Sequence, residues 1–115
     1  MLIRSQDKKT LINLRNIESI DIIGYDVEGT ISTQDEENAN TWYIAYSGYE
    51  KMLYIGRYST EAKAIKVLDM IQMANFRVEK MKMIYSHSGH LSNSCIQDFT
   101  FQMPQDEEVN NDYTK

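Results

Sequence analysis

One apolar stripe limits the possible folds of this chain more than any other feature of its sequence. Its residues recur at steps of three and four, the spacing of neighbours on one side of a helix. We predict a helix from Thr60 to Asn75, because Ser59 or Thr60 can cap its first turn and Glu61 favours that turn. An apolar stripe must be covered, and one face of a sheet is the only large partner available. The stripe consists of Ala64, Val67, Leu68, Ile71 and Ala74.

Alternating segments supply that sheet. Residues 41–46 and 51–57 flank a four-residue turn, and in the first segment Trp42 and Ile44 face one side while Tyr43 faces the other. Further strands are predicted at 2–5, 10–14, 17–23 and 97–103, whereas residues 77–85 fit both a helix and a strand. We therefore predict an α+β fold, with a mainly antiparallel sheet of about five or six strands and one principal helix packed on one face.

The 115 residues suffice for one core. We expect a single domain over residues 1–103, with polar loops at 24–40 and 86–94 and room for a short strand at 29–32. Residues 104–115 form an acidic, polar segment after Pro104, which we expect to be a flexible tail.

The sequence favours a cytoplasmic protein without membrane contact. Cys95 is the one cysteine, so the chain has no intramolecular disulfide. The N-terminus becomes charged within a few residues, unlike a signal peptide, and no apolar run approaches the roughly 20 residues that cross a bilayer.

Charge is distributed unevenly along the chain. The net charge of -5 argues against direct nucleic-acid binding, which depends on Lys and Arg. Residues 16–50 carry eight acids and no Lys or Arg, whereas residues 51–82 carry seven bases and three acids. The fold decides whether this polarity also exists in space.

Three stretches together resemble a known group of proteins: the opening residues 1–14, the run IGRYSTEAKAIKVLDMIQ at 55–72, and FQMPQDEEV at 101–109. They are similar to a family of small uncharacterised proteins of Gram-positive bacteria, often encoded by phages or other mobile elements. The family usually has Ser-Thr-Glu-Glu where this chain has Ser59-Thr60-Glu61-Ala62, so one half of a capping box is missing here. The resemblance implies a genomic context and a fold. Proteins of that context often disable host defences by binding their components.

Catalytic and metal sites find little support. His87, His90, Cys95 and Asp98 include zinc-ligand types, but their spacing matches no standard finger. The simpler interpretation is a solvated loop with Cys95 as a small apolar residue. No nucleophile elbow, phosphate-binding glycine loop or His-Glu-Xaa-Xaa-His helix is present. We therefore expect no enzyme activity, no metal and no cofactor.

The acidic segment suggests a mode of binding. Its carboxylates could imitate a phosphate backbone and occupy the basic channel of a host nucleic-acid-binding protein. The alternative is a solvated loop that only keeps the protein in solution. The candidate residues are Asp26, Glu28, Asp35, Glu36 and Glu37.

Five tyrosines are concentrated in and beside the hairpin. Alternation sends some of them to the core and leaves others outside, where they suit an interface or form cross-strand pairs. We select Tyr43, Tyr49 and Arg57 as candidate partner-binding residues. The five are Tyr43, Tyr46, Tyr49, Tyr54 and Tyr58.

Three functions remain open. The first is a non-enzymatic protein-binding accessory factor of a phage or mobile element, such as an anti-CRISPR-like inhibitor of a host defence protein. The second is a small-ligand or nucleotide-sequestering module that uses Arg57, Arg77 and the hairpin tyrosines. The third is a regulator that forms a homodimer through an open sheet edge.

Overall fold

The computed structural model describes residues 1–25, 40–88 and 99–110. This part of the chain contains six strands in two three-stranded sheets, ordered β2-β1-β6 and β3-β4-β5, with one long helix. The predicted α+β fold class is confirmed. The elements in chain order are β1 (Leu2–Arg4), β2 (Leu11–Asn13), a 3-10 helix (Leu14–Asn16), β3 (Ile17–Tyr25), β4 (Thr41–Gly48), β5 (Met52–Tyr58), α1 (Glu61–Ser88), β6 (Thr100–Gln102) and a 3-10 helix (Asp106–Glu108).

The β3-β4-β5 sheet is antiparallel throughout and follows the predicted alternation. Trp42 and Ile44 are buried in the core, and Ile20 and Ile22 pack against them from β3. Successive side chains of a strand point to opposite faces, so Tyr43 lies on the other side of the sheet. The sheet therefore has one apolar face and one face available for other contacts.

The β2-β1-β6 sheet combines two kinds of pairing. β1 pairs with β2 in antiparallel register, Ile3 opposite Ile12, and with β6 in parallel register, Ile3 opposite Phe101. A parallel neighbour needs a long crossover, which the chain between β1 and β6 provides. The side chain of Ile3 is completely buried and joins this small sheet to the shared core.

The helix α1 covers the apolar face of the β3-β4-β5 sheet. Thr60 is its cap, because the hydroxyl of Thr60 accepts a hydrogen bond from the Lys63 N–H at 3.1 Å. Ala64, Val67 and Ile71 are buried in the same core as the strands. Three residues of the predicted stripe therefore form the packing face of the helix, whereas Leu68 and Ala74 are only partly buried.

The helix is longer than the predicted segment 60–75, because it runs on to Ser88. Asn75 does not end it, and the helical option for residues 77–85 was the correct one. Val78 lies two turns beyond Ile71 and is also buried, so the apolar stripe continues past Asn75. The described part of the predicted loop at 86–94, residues 86–88, belongs to this helix.

The described part of the expected flexible tail, residues 104–110, packs against the domain. Met103 and Val109 are buried in the core. The carbonyl of Pro104 accepts hydrogen bonds from the Tyr58 hydroxyl at 2.8 Å and the Gln6 amide at 3.1 Å. Two buried apolar anchors and these long-range hydrogen bonds order a segment whose composition is polar.

Candidate partner-binding face

The face of the β3-β4-β5 sheet opposite α1 carries a group of large side chains that we call the tyrosine face. Ile23, Tyr43 and Arg57 are direct neighbours across the three strands. Tyr25 lies two residues beyond Ile23 and therefore points to the same side. Tyr54 completes the group through its ring contacts with Tyr25 and Tyr43.

The three tyrosine rings form one cluster. The ring centroids of Tyr25 and Tyr43 lie 5.2 Å apart with an interplanar angle of 85°, the edge-to-face arrangement that aromatic pairs prefer. The centroids of Tyr43 and Tyr54 are 4.8 Å apart. The hydroxyls of Tyr25 and Tyr54 share a hydrogen bond, which raises the pKa of Tyr25 to about 12. The cluster therefore presents three phenol groups that already contact one another at the surface.

A β-bulge places Tyr54 in this cluster. The register shifts by one residue between Ile44 and Ala45, where Gly56 and Tyr54 are the partners on β5. Ile55 is the extra residue and is buried in the core. Without the bulge, strict alternation from Arg57 would turn Ile55 outward and Tyr54 inward. The bulge thus keeps Ile55 in the core and places Tyr54 on the outer face.

The backbone of Arg57 is held at the edge of the tyrosine face by Gln6. The Arg57 N–H donates to the Gln6 side chain at 2.9 Å, and the Gln6 amide donates to the Arg57 carbonyl at 3.1 Å. The N–H of Gln6 also donates to the Ile55 carbonyl at 2.8 Å. Gln6 therefore occupies this part of the β5 edge and fixes the strand from which the exposed Arg57 side chain projects.

The remaining hairpin tyrosines have other roles. Tyr58 is buried in the core, where burial raises the pKa of its hydroxyl. Tyr46 lies on the same side of the sheet as Tyr58 and packs against the core. Tyr49 is 90% exposed in the turn after β4. Since a strand rises about 3.3 Å per residue, Tyr49 lies roughly 20 Å along the chain from Tyr43. The structure joins two of the three predicted residues, Tyr43 and Arg57, and leaves Tyr49 apart.

The predicted acidic residues Asp26, Glu28, Asp35, Glu36 and Glu37 all lie outside the described residues. The two ends of their segment are described, and they meet beside the tyrosine face. The Asn40 N–H donates to the Tyr25 carbonyl at 2.9 Å. Residues 26–39 connect Tyr25 to Asn40, and their sequence has five carboxylates and no Lys or Arg.

A cleft of about 330 Å³ adjoins the tyrosine face at Arg57. Gln6, Asn40, Ser59 and Asp106 contribute to its walls. The predicted ligand module would combine Arg57 with Arg77, but Arg77 lies on α1, which packs against the opposite face of the sheet. The two guanidinium groups thus do not converge on one pocket.

Sequence reasoning missed Tyr25 as a member of the candidate site. Its signal was present, since Tyr25 continues the outward-facing series of Asp21 and Ile23 at a period of two. The predicted strand ended at Ile23, whereas β3 continues to Tyr25. Because the predicted strand ended two residues too early, Tyr25 was left out of the predicted site.

The candidate metal ligands are not brought together by any described contact. His90, Cys95 and Asp98 lie outside the described residues, and His87 belongs to the last turn of α1. Within residues 1–25, 40–88 and 99–110, no group of three or more His, Cys, Asp or Glu side chains could hold a metal ion.

No family model, no curated protein and no solved structure matches the chain. The resemblance to small proteins of mobile elements therefore stays a prediction. In the part of the chain that the structure describes, no helix combines the length and apolar character needed to cross a membrane.

Proposed function

We propose that this chain is a non-enzymatic protein-binding factor and that the tyrosine face is its contact surface. The observation that carries the proposal is the cluster of Tyr25, Tyr43 and Tyr54 on the sheet face opposite α1. Tyrosine is enriched in binding hot spots because it buries a large area while its hydroxyl remains able to hydrogen-bond. Mutual ring contacts also reduce the entropy that these side chains lose on binding.

The charge of the segment between Tyr25 and Asn40 indicates the kind of partner. The segment that leaves the sheet at Tyr25 and returns at Asn40 carries five carboxylates and no base. Such a field attracts a basic surface and raises the rate of encounter. The partner that fits both features is a protein with a basic, nucleic-acid-binding surface, on which tyrosines supply buried area and carboxylates replace phosphates.

A capture experiment tests this proposal. The immobilised chain is incubated with lysate from a Gram-positive bacterium, and the bound proteins are quantified by mass spectrometry beside those bound by Tyr43→Ser. Leu11→Ser is the matched control, because Leu11 is a 53% exposed apolar residue of the other sheet. We expect a basic protein that is captured by the wild type and by the control but is lost with Tyr43→Ser. A captured set that is the same for all three chains would contradict the proposal.

The acidic contribution needs its own variant. Replacing Asp35, Glu36 and Glu37 by Asn and Gln removes three negative charges without changing side-chain size. We expect binding to the captured basic protein to weaken and to lose much of its dependence on salt. Binding that is equally strong in high and low salt for both chains would show that the carboxylates do not imitate phosphates.

The more specific proposal is an accessory factor of a phage or mobile element that inhibits a host defence protein in an anti-CRISPR-like manner. It is supported by the resemblance of residues 1–14, 55–72 and 101–109 to proteins of that context. Expression of the chain in bacteria with an active CRISPR system should restore transformation by a targeted plasmid. Unchanged plasmid interference would refute this specific role while leaving the general binding proposal to the capture experiment.

A further inference from the structure

The helix α1 carries a second apolar stripe on the side away from the sheet. Successive residues of a helix are rotated by about 100°, which places this outer stripe within one sector of about 100°. The buried residues Ala64, Val67, Ile71 and Val78 occupy the opposite sector. The outer stripe consists of Ile65 (43% exposed), Met73 (53%), Phe76 (62%), Met83 (68%) and Ile84 (56%).

This exposure is unusual for a helix that already has a packing face. One apolar stripe and one polar face are the normal pattern for a helix on the surface of a domain. Phe76 lies near the middle of the outer stripe and leaves more than half of its surface in water. Several large, exposed apolar side chains on one side of a helix are typical of a contact with another protein surface.

Three charged residues, Lys66, Asp69 and Lys80, lie in the same sector as the outer stripe, and the positions of Asp69 and Lys80 are complementary under two-fold symmetry. Asp69 and Lys80 are equidistant in sequence from the midpoint between Ala74 and Asn75. A two-fold axis through that midpoint and perpendicular to the helix would place each Asp69 opposite a Lys80. The helix thus carries both halves of an ion pair on one exposed side.

The same midpoint also relates four of the five apolar residues of the outer stripe, whereas it relates the fifth, Met83, to Lys66. It relates Ile65 to Ile84 and Met73 to Phe76. An isologous contact requires that one surface be complementary to itself under a two-fold rotation. The outer stripe meets this requirement at three levels, two of them apolar and one of opposite charge.

We propose that two copies of this chain pair through the outer faces of α1, with the helices antiparallel. Ile65 packs against the partner's Ile84, Met73 packs against the partner's Phe76, and Asp69 pairs with the partner's Lys80. Between Ile65 and Ile84 the helix rises roughly 28 Å at 1.5 Å per residue. A contact of this length that is one helix wide buries less than the roughly 800 Å² per partner of a typical stable interface. The dimer should therefore be weak and form mainly at high protein concentration.

The dimer leaves the proposed binding surface accessible. The helix lies on one face of the β3-β4-β5 sheet, and the tyrosine face lies on the other. Pairing through the helices therefore directs the two tyrosine faces outward, on opposite sides of the dimer. A partner with two copies of its site would bind such a dimer with avidity.

Sedimentation of the full chain from micromolar to millimolar concentration tests the pairing. We expect the mass to rise with concentration from the 13.4 kDa of one chain towards twice that value. Phe76→Ser should weaken dimerisation at least tenfold, whereas Leu11→Ser should leave it unchanged. Circular dichroism verifies that both variants keep their helix. A mass of one chain at every concentration, or a dimer that Phe76→Ser does not weaken, would overturn the proposal.

Charge reversal tests the register. Asp69→Lys alone and Lys80→Asp alone each place like charges opposite one another, and each should weaken the dimer. The double variant restores opposite charges and should recover most of the affinity. Equal weakening that the double variant does not reverse would show that the two residues do not meet.

Cross-linking tests the orientation of the helices. Single cysteines are introduced in a Cys95→Ser background, and a short bismaleimide is added. Met73→Cys lies close to the two-fold axis and should give covalent dimers, whereas Ile65→Cys lies far from its own copy and should not. Efficient cross-linking through Ile65→Cys would indicate parallel helices and contradict the proposed arrangement.

Discussion

Replacing Gly56 with alanine tests the packing on which the tyrosine face depends. Gly56 follows the bulge of β5 and pairs with Ile44 on the neighbouring strand β4. A Cβ added at Gly56 would lie 2.9 Å from the terminal carbon of Met103 and 2.9 Å from the ring of Tyr58. Both distances are shorter than ordinary carbon contacts of about 3.5 Å. One or both neighbours must therefore move.

The structure indicates how costly that movement is. The side chains of Tyr58 and Met103 are almost completely buried. Tyr58 is also tied to the Pro104 carbonyl by its hydroxyl at 2.8 Å. Overpacking of a well-packed core costs about 1–3 kcal/mol, and the flexible Met103 favours the lower half of that range. We expect Gly56→Ala to lower the free energy of unfolding by about 2 kcal/mol.

Urea denaturation monitored by circular dichroism measures this loss. Met103→Ala provides the control background, because it removes the terminal carbon that the new Cβ would contact. In that background the added cost of Gly56→Ala should fall by about 1 kcal/mol, a coupling typical of residues in contact. A Gly56→Ala chain within about 0.5 kcal/mol of the wild type, the usual effect of a change away from such features, would refute the described packing.

Three further changes test the parts that position the site. Gln6→Leu removes three side-chain hydrogen bonds that join the first turn to β5 and to the C-terminal segment, and should cost about 1–2 kcal/mol in urea denaturation. Val67→Ala leaves a cavity between helix and sheet and should cost about 2 kcal/mol in the same assay. For Asp106, partial burial raises the pKa, but hydrogen bonds from Ser59 and the charge of Lys63 outweigh it and lower the net pKa. Its stabilisation is therefore present above the unfolded-state pKa of about 3.9 and is lost as pH falls through the lower folded-state value. Thermal melts over a pH series should show that Asp106→Asn costs about 0.5–1 kcal/mol at neutral pH and weakens this acid dependence.

Local patterns predicted the parts of the fold that local interactions determine. The alternation of Trp42, Tyr43 and Ile44 assigned the two faces of β4 correctly, because side chains of a strand alternate by geometry alone. Thr60 was one of the two predicted caps, and it forms the capping hydrogen bond. The cap and the start of the helix depend on neighbours within one turn, so the sequence contains the information.

Other features depend on residues that are far apart in sequence. The segment that begins at Pro104 is held by a hydrogen bond from the Gln6 amide to the Pro104 carbonyl, 98 residues away in sequence. No local sequence pattern predicts such a contact. The outward position of Tyr54 depends on a bulge that inserts Ile55 into one strand only. The sequence of residues 77–85 fits both a helix and a strand, so the helix beyond Asn75 was not predicted. The structure continues the helix because Val78 extends its buried stripe.

The affinity of the tyrosine face for its captured partner is the most direct test of the central claim. Isothermal titration of the purified basic protein should give a Kd at least tenfold weaker for Tyr43→Ser and for Tyr54→Ser than for the wild type, since an interface hot spot is worth about 2 kcal/mol or more. Leu11→Ser should bind like the wild type. Equal affinities for all four chains would contradict the claim that the sheet face opposite α1 is the binding surface.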